Sequence, residues 1–336
     1  MSGCEPKTLT PRAKPAAASP DRASTLGKRA VPAIGTAALL IGVVTLAIGA
    51  SGGAGALWVV LTNNTLDPRS LLPILPIAAW GYGLRFARWH ILIRRAVPEL
   101  SVPASLQAQV TGYGLVATPG RLGEVWKLYV VERATGVPVA RGAGAMVVER
   151  VTDVLGFGGL AAVSAIVVSG QVAERPLIVV LLGGVGLVVA LAARPLVVRK
   201  LATTRLGALV AGGDAVFRPA PVAQALALIV IGRIGDSLML FGIVAALGYP
   251  VTIWHAMLIL GSSGLIGGIS LLPAGIGAVE AASVAIFVAA GVPAATGLAA
   301  ILLTRVLTIW FWVAVGLVFF AVDHVRQIRG TARLRA

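Results

Sequence analysis

Leu272-Pro-Ala-Gly-Ile-Gly-Ala-Val-Glu280 interrupts an apolar run over residues 254–292 that holds a single charge, Glu280. Proline and glycine free backbone groups that hydrocarbon cannot satisfy. Such breaks are tolerated only inside protein or beside a wet cavity. The run is therefore predicted to be a re-entrant hairpin: a half-helix in, a turn and a half-helix out. Residues 101–140 follow the same plan. They begin mildly apolar, break at Thr118-Pro-Gly120, and continue with Arg121, Glu124, Lys127, Glu132 and Arg133.

The two broken stretches share a spacing. The first reads Pro119-Gly-Arg-Leu-Gly123, then Gly136-Val-Pro138, then Arg150; the second reads Pro273-Ala-Gly-Ile-Gly277, then Gly291-Val-Pro293, then Arg305. The steps are 19 and 20 residues between the prolines, then 12 residues to the arginine in both. Arg233 echoes Arg85 at an offset of 148. This is the pattern of an internal repeat.

Composition places the repeat in a membrane. Of 336 residues, 57% are hydrophobic and only 12% charged, against about 25% charged in soluble domains. Mean hydropathy is +0.92. A soluble globule could not cover its surface with so few polar groups, so the chain is expected to be an all-α polytopic membrane protein. The net charge of +15 would suggest nucleic acid in a soluble protein. Here it is assigned to cytoplasmic loops, which collect Lys and Arg, and no nucleic-acid partner is expected. Cys4 is the sole cysteine and the three histidines are scattered. No disulfide, metal site or cofactor is expected.

The predicted architecture has about six full spans plus the two hairpins. The first span runs from near residue 32 to between 48 and 61; the others cover 70–93, 143–169, 176–193, 221–247 and 294–322. Each can cross a core of about 30 Å. Residues 1–30, with six basic and two acidic side chains, read as a disordered cytoplasmic tail. Residues 31–322 form the membrane domain, with repeat halves at about 70–170 and 221–322, and 323–336 are a second basic tail. With the N-terminus inside, the predicted outer loops (62–69, 170–175, 248–253 and 291–293) contain only Arg69 and Arg175 as basic residues. That matches the positive-inside rule. The chain is expected in the cell (inner) membrane with both termini cytoplasmic. The first hairpin then enters from inside and the second from outside, so the halves are inverted. Inverted repeats with paired broken segments mark transporters with a midplane site.

The apolar segments also carry Glu149, Arg150, Asp153, Arg233, Asp236, Glu280 and Arg305. A central charge costs roughly 2.5–3.5 kcal/mol, so these groups must pair or meet water. Arg150/Asp153 and Arg233/Asp236 lie at i,i+3 on one helical face. Glu149 points elsewhere and can reach another helix. Arg305 has no acid nearby in its own segment, and Glu280 is the first candidate partner. Two readings stand for the i,i+3 pairs: staples joining helices, or a substrate site. Arg121, Arg305 and Glu280 sit on the repeated, broken elements and favour a site. The half-helix N-termini after Pro119-Gly120 and after 273–275 offer N–H groups and positive dipole ends. With Arg121, Arg150 and Arg305 they suit an anionic group such as phosphate. Arg85, Arg88 and Trp89 end the second span. They read as snorkelling residues and an interfacial anchor, or as headgroup contacts at the inner leaflet.

Other chemistries find no support. There is no Walker loop, residues 275–280 begin like GxGxxG but end in Glu280, and 261–264 is no nucleophile elbow. Thr111-Gly-Tyr-Gly114 only faintly echoes a potassium filter. Neither a catalytic constellation nor a direct ATP drive is expected.

Pro119-Gly-Arg-Leu-Gly-Glu124, Glu149-Arg-Val-Thr-Asp153, Leu272-Pro-Ala-Gly-Ile-Gly-Ala-Val-Glu280 and Leu84-Arg-Phe-Ala-Arg-Trp89 together resemble the lysylphosphatidylglycerol synthase transmembrane, or flippase-like, family over roughly 33–322. Ala274 departs from the pattern, where the family usually has a second glycine. The resemblance implies movement of lipids or lipid-linked molecules between leaflets, since relatives flip aminoacylated phosphatidylglycerol or are tied to polyprenyl-linked sugars or hopanoids; with the arginines, the substrate expected here is an anionic phospholipid or a polyprenyl-linked molecule. It carries sensitivity onto Arg121, Glu124, Glu149, Arg150, Asp153, Glu280 and Arg305; Arg85, Arg88, Arg233 and Asp236 are secondary candidates from the charge pattern. Relatives that aminoacylate lipid have a soluble synthetase domain after the membrane part. About 14 residues follow the last span here, so the chain is not expected to be an enzyme. A separate membrane or cytosolic lipid-modifying enzyme is an expected partner, and scaffolding one is the alternative role.

Overall fold

The computed structural model describes residues 72–116, 118, 122–170, 215–270 and 272–333, with isolated positions 43, 47, 55, 58 and 69. The first tail, the span near 32–61, the span at 176–193, most of the basic loop at 194–220, and Arg121 with Pro119 and Gly120 lie outside the described residues. Among the described residues every regular element is a helix.

Helix α1 (Ile74–Ala96) begins behind Pro73 and ends with Arg94 and Arg95 in its last turn, where the helix dipole favours cations. Helix α2 (Val102–Gly114) starts at Ser101, whose hydroxyl accepts from the Ala104 N–H at 3.4 Å. At 13 residues it rises about 20 Å, too short for a full crossing. The chain then breaks, and α3 (Leu122–Thr135) follows. A turn at Gly136-Val-Pro138 leads into α4 (Val139–Val168). Helix α5 (Pro219–Ala246) carries its proline in the first turn, where the missing N–H costs nothing.

Helix α6 (Ile253–Ile269) ends at the predicted break, a single 3-10 turn at Pro273–Gly275. Helix α7 (Ala278–Ala289) follows, then α8 (Ala294–Arg305), a π turn (Val306–Trp310) and α9 (Phe311–Arg333). The π turn has no signature in the sequence reading. Such turns concentrate at functional sites, and this one begins right after Arg305. The last helix continues through much of the expected C-terminal tail, to Arg333.

Among the described residues three helices are long and apolar enough to cross a membrane: Val139–Val168, Pro219–Ala246 and Ala294–Arg326. Large apolar side chains such as Val154, Ile269, Val318 and Phe319 are exposed on the outer surface, as lipid contact requires.

Helices α1 and α5 run antiparallel, with Ile74 on Gly242 and Leu84 on Gly232. Helix α2 packs on α3 and α9, and α6 packs on α7 and α4. The α2–α9 contact is backbone to backbone, since a methyl on Gly114 would meet Gly316 and Leu317. The α6–α4 contact is equally close, Gly261 lying on the backbone of Phe157 and Ala161. Two apolar cores result. One holds Trp89, Leu92, Trp126, Val148, Ala225 and Phe320; the other holds Ile74, Met239, Ile243, Ile259, Phe287 and Ile301. Helices α1 and α5 each contribute to both cores, and the stretches between those contributions carry Arg85 on α1 and Arg233 and Asp236 on α5. The charged layer thus sits between two apolar cores.

Candidate functional site

A cavity of about 360 Å³ lies where the two broken helix pairs meet, lined by α1 to α6, the 3-10 turn, α7, α8 and the π turn. Its charges form three clusters.

The first joins α1, α3 and α4. Arg88 donates to Asp153 at 2.6 Å and to Glu149 at 3.4 Å, and Lys127 meets Glu149 at 3.1 Å. Arg150 reaches Asp153 at 2.8 Å and Glu124 at 3.4 Å. Three cations face three carboxylates. The Arg150/Asp153 contact is the i,i+3 pair that helical spacing predicts, and Glu149 leaves that face to meet two other helices. Arg88 is 4% exposed and Trp89 is fully buried. The snorkel-and-anchor reading of this helix end is therefore corrected. Arg88 turns inward because two carboxylates of α4 await it. The Trp89 ring lies beneath the Lys127 ammonium, 3.8 Å from its centroid, a favourable cation–π contact.

The second cluster joins α1 and α5. Arg85 and Arg233 approach the same oxygen of Asp236, at 2.6 and 2.8 Å. Asp236 is 2% exposed. Arg233 also stacks over Phe157 at 4.5 Å. Arg85 also departs from the snorkelling expectation, for the same reason as Arg88.

The third cluster secures the second break. Arg305, 2% exposed, donates to Glu280 and, at 2.6 Å, to the Ala274 carbonyl. Glu280 is thus the partner of Arg305, 25 residues away. Ala274 adopts φ +50, a left-handed conformation that suits glycine, and Arg305 holds its carbonyl there. Glu280 accepts with its other oxygen from the Gly277 N–H at 2.7 Å. The expectation of open N–H groups at this helix start is corrected at Gly277, because the carboxylate three residues on folds back to cap it.

Arg121 lies outside the described residues. Of the other expected residues, Glu124, Glu149, Arg150, Asp153, Arg305, Arg85, Arg88, Arg233 and Asp236 line this cavity, and Glu280 touches it through Arg305. They are not equally accessible: the Arg150 side chain is 38% exposed, whereas Arg305 is sealed. Sequence reasoning missed Lys127, Gln109 and Tyr113 as lining residues. Lys127 had a signal, one turn after Glu124 on a segment that must fold inward; the other two had none. Among the described residues no group of three His, Cys, Asp or Glu side chains is placed to hold a metal ion.

The charged side chains can exchange ion pairs among themselves or hold an anion between the helices. No curated protein matches the chain, and no solved structure does. The model of the family described as the lysylphosphatidylglycerol synthase TM region matches residues 33–316. With its long apolar helices and that match over most of its length, this chain is a multi-pass membrane protein belonging to the lysylphosphatidylglycerol synthase TM region family.

Proposed function

We propose that this protein is a lipid carrier. It moves an anionic phospholipid or lipid-linked glycan headgroup between the leaflets of the cell (inner) membrane, with both termini cytoplasmic. In this reading α2–α3 and α6–α7 are re-entrant hairpins of an inverted repeat with about six full spans, and the chain performs no covalent chemistry. A lipid-modifying enzyme would supply or consume the lipid.

The observation that carries the proposal is the charged cavity at the meeting of the two broken pairs. Its volume of about 360 Å³ falls in the range of small-molecule pockets and suits a headgroup, leaving the acyl chains in lipid.

Several relationships support the repeat. The turns Gly136-Val-Pro138 and Gly291-Val-Pro293 share positive φ at glycine, 72 and 81, and nearly equal proline angles of −57, 142 and −56, 141. Arg150 reaches Glu124 in the first turn of α3, and Arg305 reaches Glu280 in the first turn of α7. The close contacts of α2 on Gly316 and of α6 on Ala161 fall at an offset of 155, the same as Arg150 to Arg305.

Arg121, Arg150 and Arg305 would hold the phosphate in turn. Glu124, Asp153 and Glu280 take the guanidiniums back when the site empties, so no charge is left bare in a low-dielectric space.

The test is a dithionite-quench assay in proteoliposomes holding fluorescent phosphatidylglycerol or a fluorescent polyprenyl phosphate. Wild-type protein is expected to scramble one of them well above protein-free vesicles. Arg305→Ala and Glu280→Ala are expected to slow it about tenfold. No transport by wild-type protein overturns the carrier. Full-speed transport by both variants, eluting as monodisperse protein, overturns the site.

A further inference from the structure

We propose that Gln109 is a specificity-determining residue of this cavity. Its amide oxygen accepts a hydrogen bond from the headgroup, so the lipid carried must present a hydroxyl or ammonium donor beyond its phosphate. The inference rests on the carrier reading and names its substrate class.

Helix α2 aims Gln109 at the cavity. Gln109, Gly112 and Tyr113 all line it, and steps of three and four residues mark one helical face. On that face α3 comes close: a methyl on Gly112 would run into the Lys127 side chain. The Lys127 stem therefore lies against α2 one turn from Gln109. Gln109 is 3% exposed, and its Oε1 has no hydrogen-bond partner among the described residues. A buried acceptor left unpaired costs stability and calls for a donor.

The charged acceptors of the wall are already committed. Glu124, Glu149, Asp153 and Asp236 each hold a guanidinium or an ammonium. The Thr304 and Thr308 hydroxyls donate to their own backbone, at the Ala300 and Thr304 carbonyls. The second oxygen of Asp236 is unpaired too, but it lies against α1 at Gly81. A headgroup entering the cavity thus meets cations for its phosphate and, in Gln109, a neutral acceptor for a donor group. A headgroup without a donor would cover Oε1 and leave it unpaired. Sites built around a ligand's hydroxyl or N–H reject the analogue lacking it for this reason. Hydroxyl and ammonium headgroups both qualify; quaternary amines and simple alkyl esters do not.

The experiment uses acyl- or prenyl-labelled lipids in proteoliposomes, in pairs of equal formal charge that differ in the donor. Phosphatidylglycerol is set against phosphatidylpropanol, phosphatidylethanolamine against phosphatidylcholine, and polyprenyl-phosphoglucose against the methyl phosphodiester of the same polyprenol. Within each pair that is transported, the wild-type protein is expected to move the donor-bearing lipid about tenfold faster; the pair that moves fastest identifies the source. Gln109→Met is expected to bring that ratio close to one. Gln109→Glu, which keeps an acceptor and has no N–H, is expected to hold it. A purely structural Gln109 would slow both members alike and leave the ratio unmoved. Equal rates within every transported pair in the wild type, or an unchanged ratio in Gln109→Met, overturn the inference and leave the carrier intact. Gln109→Met removes an unpaired acceptor at nearly equal volume, so it is expected not to lower the thermal midpoint. A clear drop would show that the amide serves the empty protein, and overturns the inference. Binding is read separately in micelles, by tryptophan fluorescence with short-chain members of each pair. Selective binding that Gln109→Met abolishes, without transport, supports the inference and overturns the carrier. Unselective binding by the wild type overturns the inference.

Discussion

Arg85 on α1 and Arg233 on α5 end on the same oxygen of Asp236, at 2.6 and 2.8 Å. The two guanidiniums come from helices 148 residues apart in sequence that run antiparallel, and each would repel the other without the carboxylate between them. Removing the shared acid is therefore worse than removing either base.

Asp236→Asn is expected to cost about 3–5 kcal/mol, because it leaves two buried guanidiniums uncompensated. Arg233→Gln alone should cost far less, since Arg85 and Asp236 still pair. Arg233→Gln in the Asp236→Asn background should recover a large part of the loss. Thermal unfolding in detergent of the four proteins forms a double-mutant cycle. Strict additivity would refute the shared-carboxylate account.

Arg305 joins Glu280 to the Ala274 carbonyl. Lysine keeps the charge but lacks the planar fork that serves two acceptors at once. Arg305→Lys is expected to cost about 1–2 kcal/mol and to speed amide exchange at Gly275 to Ala278 in hydrogen–deuterium exchange. Glu280→Ala should cost about 3 kcal/mol or more, since it leaves Arg305 buried without its carboxylate. Unchanged exchange in Arg305→Lys would show that the arginine does not hold the turn.

Ala274, at φ +50 and ψ 16, pays the steric cost of a left-handed backbone that glycine avoids. Ala274→Gly is expected to stabilise the protein by about 1 kcal/mol, after allowing for the added freedom of glycine in the unfolded chain. Ala274→Val should destabilise it. Thermal midpoints for the three proteins test the order Gly above Ala above Val.

Gly114 and Gly316 let α2 and α9 touch along their backbones. Alanine at either position drives a methyl into the opposite main chain, and a loss of about 2 kcal/mol or more is expected. Gly159→Ala is the control, because a methyl there meets nothing within 4 Å and alanine is the better helix former. Comparable losses in thermal stability for all three would mean the effect is not the close contact.

Much of the site was legible where partners lie within one helical turn. The pairs Arg150/Asp153 and Arg233/Asp236 follow from three-residue spacing alone, because that spacing puts both side chains on one face. Glu280 as the partner of Arg305 followed from elimination and cost. A buried arginine needs an acid, and the broken apolar run offered a single one. The breaks themselves were legible because proline and glycine cannot continue a lipid-facing helix. The inward turn of Arg88 was not. At the end of an apolar helix an arginine can reach water or a carboxylate, and only the position of α4 decides between them.

The amino-acid sequence by itself determined the solvent this protein needs, the place of its described long apolar helices and of the break at 273–275, and the need to match charges inside apolar segments. Hydrophobic periodicity and backbone valence act locally, so they can be read along the chain. The tertiary structure alone decided which helix each charge faces, that Arg85 and Arg233 share one acid, and that Lys127 sits on Trp89. Those outcomes depend on how rods rotate and slide against each other, and that is set by close contacts such as Gly114 on Gly316, made between residues about 200 positions apart.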